Sequence, residues 1–177
     1  QRCGEVARTS VAAELRRGYG NLGGAAADGN EKSVGAESEE SVIARAGRLL
    51  SNKLGNTGHG YDSAMQASDT SLTNLGVDYV DLYLIHWPNP VQYRDHWQAV
   101  NAETWRAMED ILKAGKARAI GGPNFREHHM EELDKSATVN PTFHMIFLSP
   151  SDLKTDLVDY THATGMSYVD ESQHGSR

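Results

Sequence analysis

A single cysteine, Cys3, is present, so no internal disulfide can form. The fold must hold by burial and hydrogen bonding, and a reducing cytoplasm is the compartment this composition predicts. Long apolar runs are missing too. Nothing approaches the roughly 20 residues that a membrane-crossing helix needs, and there is no signal-peptide pattern, so no membrane is expected as a partner. Lysines and arginines form no cluster, and the formal net charge is -7, which argues against nucleic acid as a partner. The sequence has no initiator Met, so it is expected to begin inside a longer product or to follow processing.

What is present is a strong α/β pattern in 177 residues, a length that fits one domain over 1–177. Its centre is SLTNLGVDYVDLYLIHWPNP, Ser71 to Pro90. A helix ends at Leu75, Gly76 supplies a C-cap, and a strand from Val80 to Trp87 follows. Val80, Leu82, Tyr83, Leu84 and Ile85 form a nearly unbroken apolar run, as in a strand buried on both faces of a parallel sheet. His86 and Trp87 then stand at the strand's C-terminal end, where parallel α/β folds collect binding and catalytic groups. A histidine that only caps a strand and bonds a loop is the plainer reading of His86.

Along the rest of the chain, Glu5 to Arg17 reads as a helix. Tyr19 to Ala27 is rich in Gly20, Asn21, Gly23 and Gly24, poor strand formers that fit neither a dinucleotide fingerprint nor a Lys-bearing phosphate loop. Helices are predicted over Glu31–Arg45, His59–Leu75, Arg126–Ala137 and Asp152–Thr164, with a further one capped by Asn101 and running to Lys116. Strands are predicted over Leu49–Leu54, Ala117–Gly121, Thr142–Leu148 and Ser167–Ser172. Ser68 falls on an inward helix face where an apolar residue is expected. Tyr93, His96 and Trp97 lie on a loop past the third strand, placed to line a pocket or, the preferred reading, to pin the loop down. A metal site built from His59, His86, His96, His128 and His129 is disfavoured: adjacent His128 and His129 point to different sides of a helix. No metal is expected.

LGVDYVDLYLIHWP (75–88) closely resembles the third strand of the aldo-keto reductases, (β/α)8-barrel enzymes that use NADP(H) to interconvert carbonyls and alcohols. AAADGNEKSVG (25–35), KLGNTGHGYDSAMQA (53–67), TWRAMEDILKAGKARAIGGPNF (104–125) and LVDYTHATG (157–165) match further motifs in the family's order and spacing. The bacterial reductases of the diketogluconate reductase kind look most similar. The resemblance implies an α/β TIM barrel of which this chain covers about six of the eight βα units. The N-terminal hairpin and the seventh and eighth units have no counterpart here.

The resemblance also implies a site. The family's tyrosine donates a proton, a lysine paired with an aspartate lowers that tyrosine's pKa, and a histidine polarises the carbonyl. Hydride arriving at carbon leaves negative charge on oxygen, which needs a proton and oriented donors. Lys53 matches the lysine and His86 the histidine, while Asp28 stands at the tyrosine position and Gly23 at the aspartate position. For the cofactor, Asn124 matches a carboxamide-binding asparagine. Pro123 stands for its serine neighbour, Met145 for a glutamine and Glu171 for a stacking tyrosine. Ser172 and Ser176 match phosphate-contacting positions. NADP(H), a small carbonyl substrate and a monomer follow from the resemblance. The replaced residues imply a second reading, a catalytically inactive barrel relative acting as a binding or structural module.

Overall fold

A computed structural model describes residues 21–23, 26, 29–40, 44–47, 49–123, 125–146 and 167–170. Six parallel strands form one sheet in sequence order: β1 (Asn21–Gly23), β2 (Leu49–Leu54), β3 (Val80–Ile85), β4 (Ala117–Pro123), β5 (Phe143–Ile146) and β6 (Ser167–Asp170). The described crossover helices are α1 (Glu31–Glu40), α2 (Tyr61–Leu75), α3 (Trp97–Lys113) and α4 (Glu127–Asp134). Each strand pairs in parallel with its immediate predecessor, which makes the sheet a run of βα units. This is the architecture of a (β/α)8 barrel over about six of its strands.

The central strands owe their position to burial on both faces. Leu50, Leu54, Tyr83, Ile85 and Ile120 enter one core with Ala64, Leu75, Trp105, Met108 and Ile111 from the helices. Leu82 and Leu84 are equally buried but stand outside that core, on the opposite face of the sheet. Strand alternation explains the split, since neighbouring side chains on a strand point to opposite faces. Full burial of each such side chain is worth about 1.5–3 kcal/mol.

Several local expectations are corrected. The Gly-rich segment does contribute a strand, β1, because pairing of Asn21 with Leu49 and Leu22 with Leu50 supplies what its own propensity lacks. The helix past the third strand begins at Trp97, ahead of Asn101. Asn101 is buried inside α3, where its Nδ2 donates to the Pro88 carbonyl at 2.6 Å. Trp97 is therefore a helix residue. The second-unit helix starts at Tyr61 rather than His59, after a 3-10 turn over Asn56–Gly58. β4 runs on to Pro123, β5 starts at Phe143 rather than Thr142, and the expected ends of β5 and β6 lie outside the described residues. Ser68 is buried at 3% exposure, as its position on the inward face predicts. The helices expected over 5–17 and 152–164 lie outside the described residues.

Gly76 closes α2 at φ 66°, with its N–H on the Thr73 carbonyl and that of Val77 on Leu72. That left-handed turn is where glycine is favoured. It delivers the chain directly into β3.

Candidate functional site

The register of the sheet decides which residues share a face at the C-terminal strand ends. Lys53 pairs with Leu84, Leu84 with Gly121, Gly121 with Phe143 and Phe143 with Ser167, forming one row. Two residues further on, Pro123 pairs with Met145 and Met145 with Val169. His86 follows Leu84 by two residues, and its N–H donates to the Leu54 carbonyl at 3.2 Å, prolonging the β2–β3 ladder past Ile85. Lys53 and His86 therefore lie on the face of Leu82 and Leu84, away from the helices, and both are half-buried. Lys53 and His86 thus sit together at the ends of adjacent strands. Gly23 pairs with Ser51, one step below Lys53 on the same face, so that position offers no carboxylate. Pro123 and Met145 are placed by register alone. Asp28, Asn124, Glu171, Ser172 and Ser176 lie outside the described residues.

The loop between β3 and α3 is built against the loop after β2. Gln92 Nε2 donates to the Asn56 carbonyl at 2.8 Å, and the Asn101–Pro88 bond ties the loop's base to α3. The Tyr93 ring lies 5.8 Å from that of His59 and 5.9 Å from that of His96. Tyr93 thus serves to pin the loop, the preferred reading of the two. Trp87 and Val91 remain exposed above it, Trp87 at 47% and Val91 at 78%.

Two histidines carry no functional weight in the sequence yet are buried here. His59 is 3% exposed, neither ring nitrogen has a hydrogen-bond partner, and burial pushes its pKa down to about 4. His129 is 8% exposed, and its Nδ1 accepts the Arg126 backbone N–H at 3.1 Å at the start of α4. Its pKa is lowered to about 4, first by burial and then by His128 and Arg126. The Trp97 ring stands edge-on to His129 at 4.9 Å, with Phe125 at 6.0 Å. The rings of His128 and His129 are 3.9 Å apart, which corrects the expectation that they diverge. Among the described residues, no group of three or more His, Cys, Asp or Glu is placed to hold a metal.

Sequence reasoning had one signal for His129. Pro123 and the inward pair Met130 and Leu133 place a helix start near Arg126, and the third residue of a helix often reaches back to its N-cap. His59 had no such signal, because its burial depends on a loop more than thirty residues later in the chain.

The sequence matches the Aldo/keto reductase family over residues 20–172. It is 39% identical over 163 residues to the glyoxal reductase of Bacillus subtilis (strain 168), a match covering 92% of this chain and 56% of that protein. An aldo/keto reductase from Brucella melitensis has a solved structure that matches with a TM-score of 0.85 at 38% identity, covering 92% of this chain and 61% of that one. The Bombyx mori aldo-keto reductase, solved in complex with NADP, matches with a TM-score of 0.82 at 29% identity, over 93% of this chain and 55% of that one. The chain spans about half the length of the curated relatives it matches.

Proposed function

This chain belongs to the aldo/keto reductase family, and we propose that the protein reduces small aldehydes or ketones to alcohols with NADP(H). One observation carries the reading: Lys53 and His86 share a face at the C-terminal ends of neighbouring parallel strands. A cation and an imidazole set there meet the needs of a carbonyl oxygen that gains negative charge.

The residues at the strand ends fit a flat ring held weakly. Pro123 and Met145, register partners one step beyond Lys53, suit an apolar ring face but bring no strong donor for a carboxamide. Asn124 would be the carboxamide's remaining partner, and Ser172 and Ser176 would serve the phosphates. When bound, the dinucleotide supplies the hydride. His86 orients the carbonyl, and Lys53 offsets charge building on its oxygen. The proton is the weak link. By the resemblance Asp28 stands where the family has a phenol, and an ionised carboxylate only accepts hydrogen bonds and has no proton to donate.

A second reading is favoured by Gly23. It leaves the position below Lys53 without a carboxylate, as an inactive relative used for binding would. NADPH consumption with a small aldehyde separates the two. Asp28→Tyr should raise the rate at least tenfold, within the 10²–10⁴ typical of a general acid. Adding Gly23→Asp should raise it further and not additively, since both groups act on one proton. A chain that turns over at about 10 s⁻¹ unaltered draws its proton from another group. No gain in either variant favours the binding module. A monomer in the cytoplasm belongs to the same proposal, and light scattering during gel filtration checks the first part.

A further inference from the structure

The turn that joins β4 to α4 is held by an unusual clasp. Gly122 lies directly under Phe125: a Cβ on Gly122 would come within 2.3 Å of the Phe125 ring, so the turn must fold flat onto the strand. Arg126 is the N-cap of α4, and its N–H is one of the donors a helix start leaves without an intrahelical partner. The Nδ1 of His129 takes it at 3.1 Å. To accept there, the imidazole must be neutral, with its proton on Nε2. The ring is fixed from the other side by Trp97, the first residue of α3, edge-on at 4.9 Å. His129 thereby links the turn after β4 to the helix that follows the His86 loop.

We propose that His129 is a positioning residue, a neutral acceptor that sets the turn after β4 and, through it, the cofactor-facing end of that strand. The last clause rests on the reductase reading, because it is that reading which gives the turn a dinucleotide to meet. Arg126 and His128 are the charged or titratable groups that act on the ring, while Trp97 and Phe125 bring only aromatic edges. Protonation would turn the acceptor into a donor facing the Arg126 N–H and add a cation at a helix N-terminus, where positive charge is disfavoured. The clasp should therefore loosen in acid. An opened clasp binds its proton near the ordinary pKa of 6.5, and the closed one resists protonation until about pH 4. Between those limits its closed population is lost progressively.

Two substitutions separate acceptor from ring. His129→Asn keeps an acceptor at the distance of Nδ1, drops the ring and does not titrate. His129→Phe keeps the ring and its packing and drops the acceptor, so it preserves the buried volume. Amide hydrogen exchange at Arg126 and NADPH titration by fluorescence are the measurements. In the unaltered protein, protection at Arg126 should fall about a hundredfold between pH 6.5 and 4 after correction for intrinsic exchange. In His129→Asn it should stay level across that range. His129→Phe should lose the protection at every pH and weaken NADPH about tenfold, while His129→Asn stays within twofold. Protection at Arg126 that survives in His129→Phe overturns the proposal, as does a pH-dependent loss that persists in His129→Asn. NADPH affinity unchanged in His129→Phe, with the amide exposed, overturns the cofactor role. If the unaltered protein binds no NADPH at all, the reductase reading fails and that role with it, while exchange at Arg126 still decides the clasp.

Discussion

The two ends of the sheet are held together in opposite ways. At the N-terminal ends of the strands, Asp81 accepts from Arg45 at 2.7 Å, from Arg118 at 3.2 Å and from the Leu50 N–H at 2.9 Å. Both guanidinium groups lie over the Tyr79 ring, at 4.2 and 4.5 Å from its centroid. One carboxylate thus joins β2, β3 and β4. At the C-terminal ends, buried polar atoms without hydrogen-bond partners gather instead: Asn56 Oδ1, both nitrogens of His59, Asn89 Oδ1 and Asn101 Oδ1. Each such group is destabilising by about 1–3 kcal/mol. The difference matches the division of labour in (β/α)8 barrels, where the N-terminal face serves stability and the C-terminal face serves chemistry.

The comparison is broken most severely at Asp81. Asp81→Ala removes three interactions of a carboxylate that is 13% exposed. The expected loss is about 3 kcal/mol in urea denaturation, with binding per folded molecule unchanged. A loss below about 1 kcal/mol would mean that the network is only surface decoration.

Acid should act at the other end. The folded-state pKa of His59, about 4, lies below the ordinary 6.5. Stability is therefore complete above pH 6.5 and declines as pH falls from 6.5 toward 4, by on the order of 3 kcal/mol. His59→Leu should remove the share of that slope that His59 contributes, leaving the share of His129, and hold stability at pH 7 within about 1 kcal/mol, because it deletes two unpartnered nitrogens along with the ring. An unchanged slope in that variant would place the acid sensitivity elsewhere.

The smallest effect is on ligand binding. NADPH should bind more weakly than low-micromolar, and Pro123→Ser with Met145→Gln should tighten it about tenfold, the worth of one or two hydrogen bonds. Fluorescence titration reads both. Low-micromolar affinity before any change would show that the dinucleotide does not need donors at those positions.

The legible parts of this molecule are those whose signal is local. The run from Val80 to Ile85 announces a doubly buried strand and Gly76 before it announces the turn; the turn stands as read, while the strand ends at Ile85 rather than at Trp87. Lys53 and His86 could be placed together because strand ends in a parallel sheet are neighbours by topology. The start of α3 was not legible, since Trp97, Gln98, Ala99 and Val100 show little inward periodicity, whereas Asn101 has the look of an N-cap. The long-range hydrogen bond from Asn101 to Pro88 uses the same side chain for another purpose. His59 and His129 were missed for a related reason. Their environments are made by Tyr93 and Trp97, residues of loops and helix starts that no periodicity connects to them.

The order of the sheet has a consequence for how it is made. Every described strand after the first pairs with the strand that precedes it in the chain, so each new pairing closes over only the segment just made. Among the described strands the sheet can grow unit by unit as the chain leaves the ribosome. The exposed margins at any moment are β1 and the strand most recently laid down. During synthesis, chaperone demand should therefore shift along the chain, falling at each position once the following unit has docked.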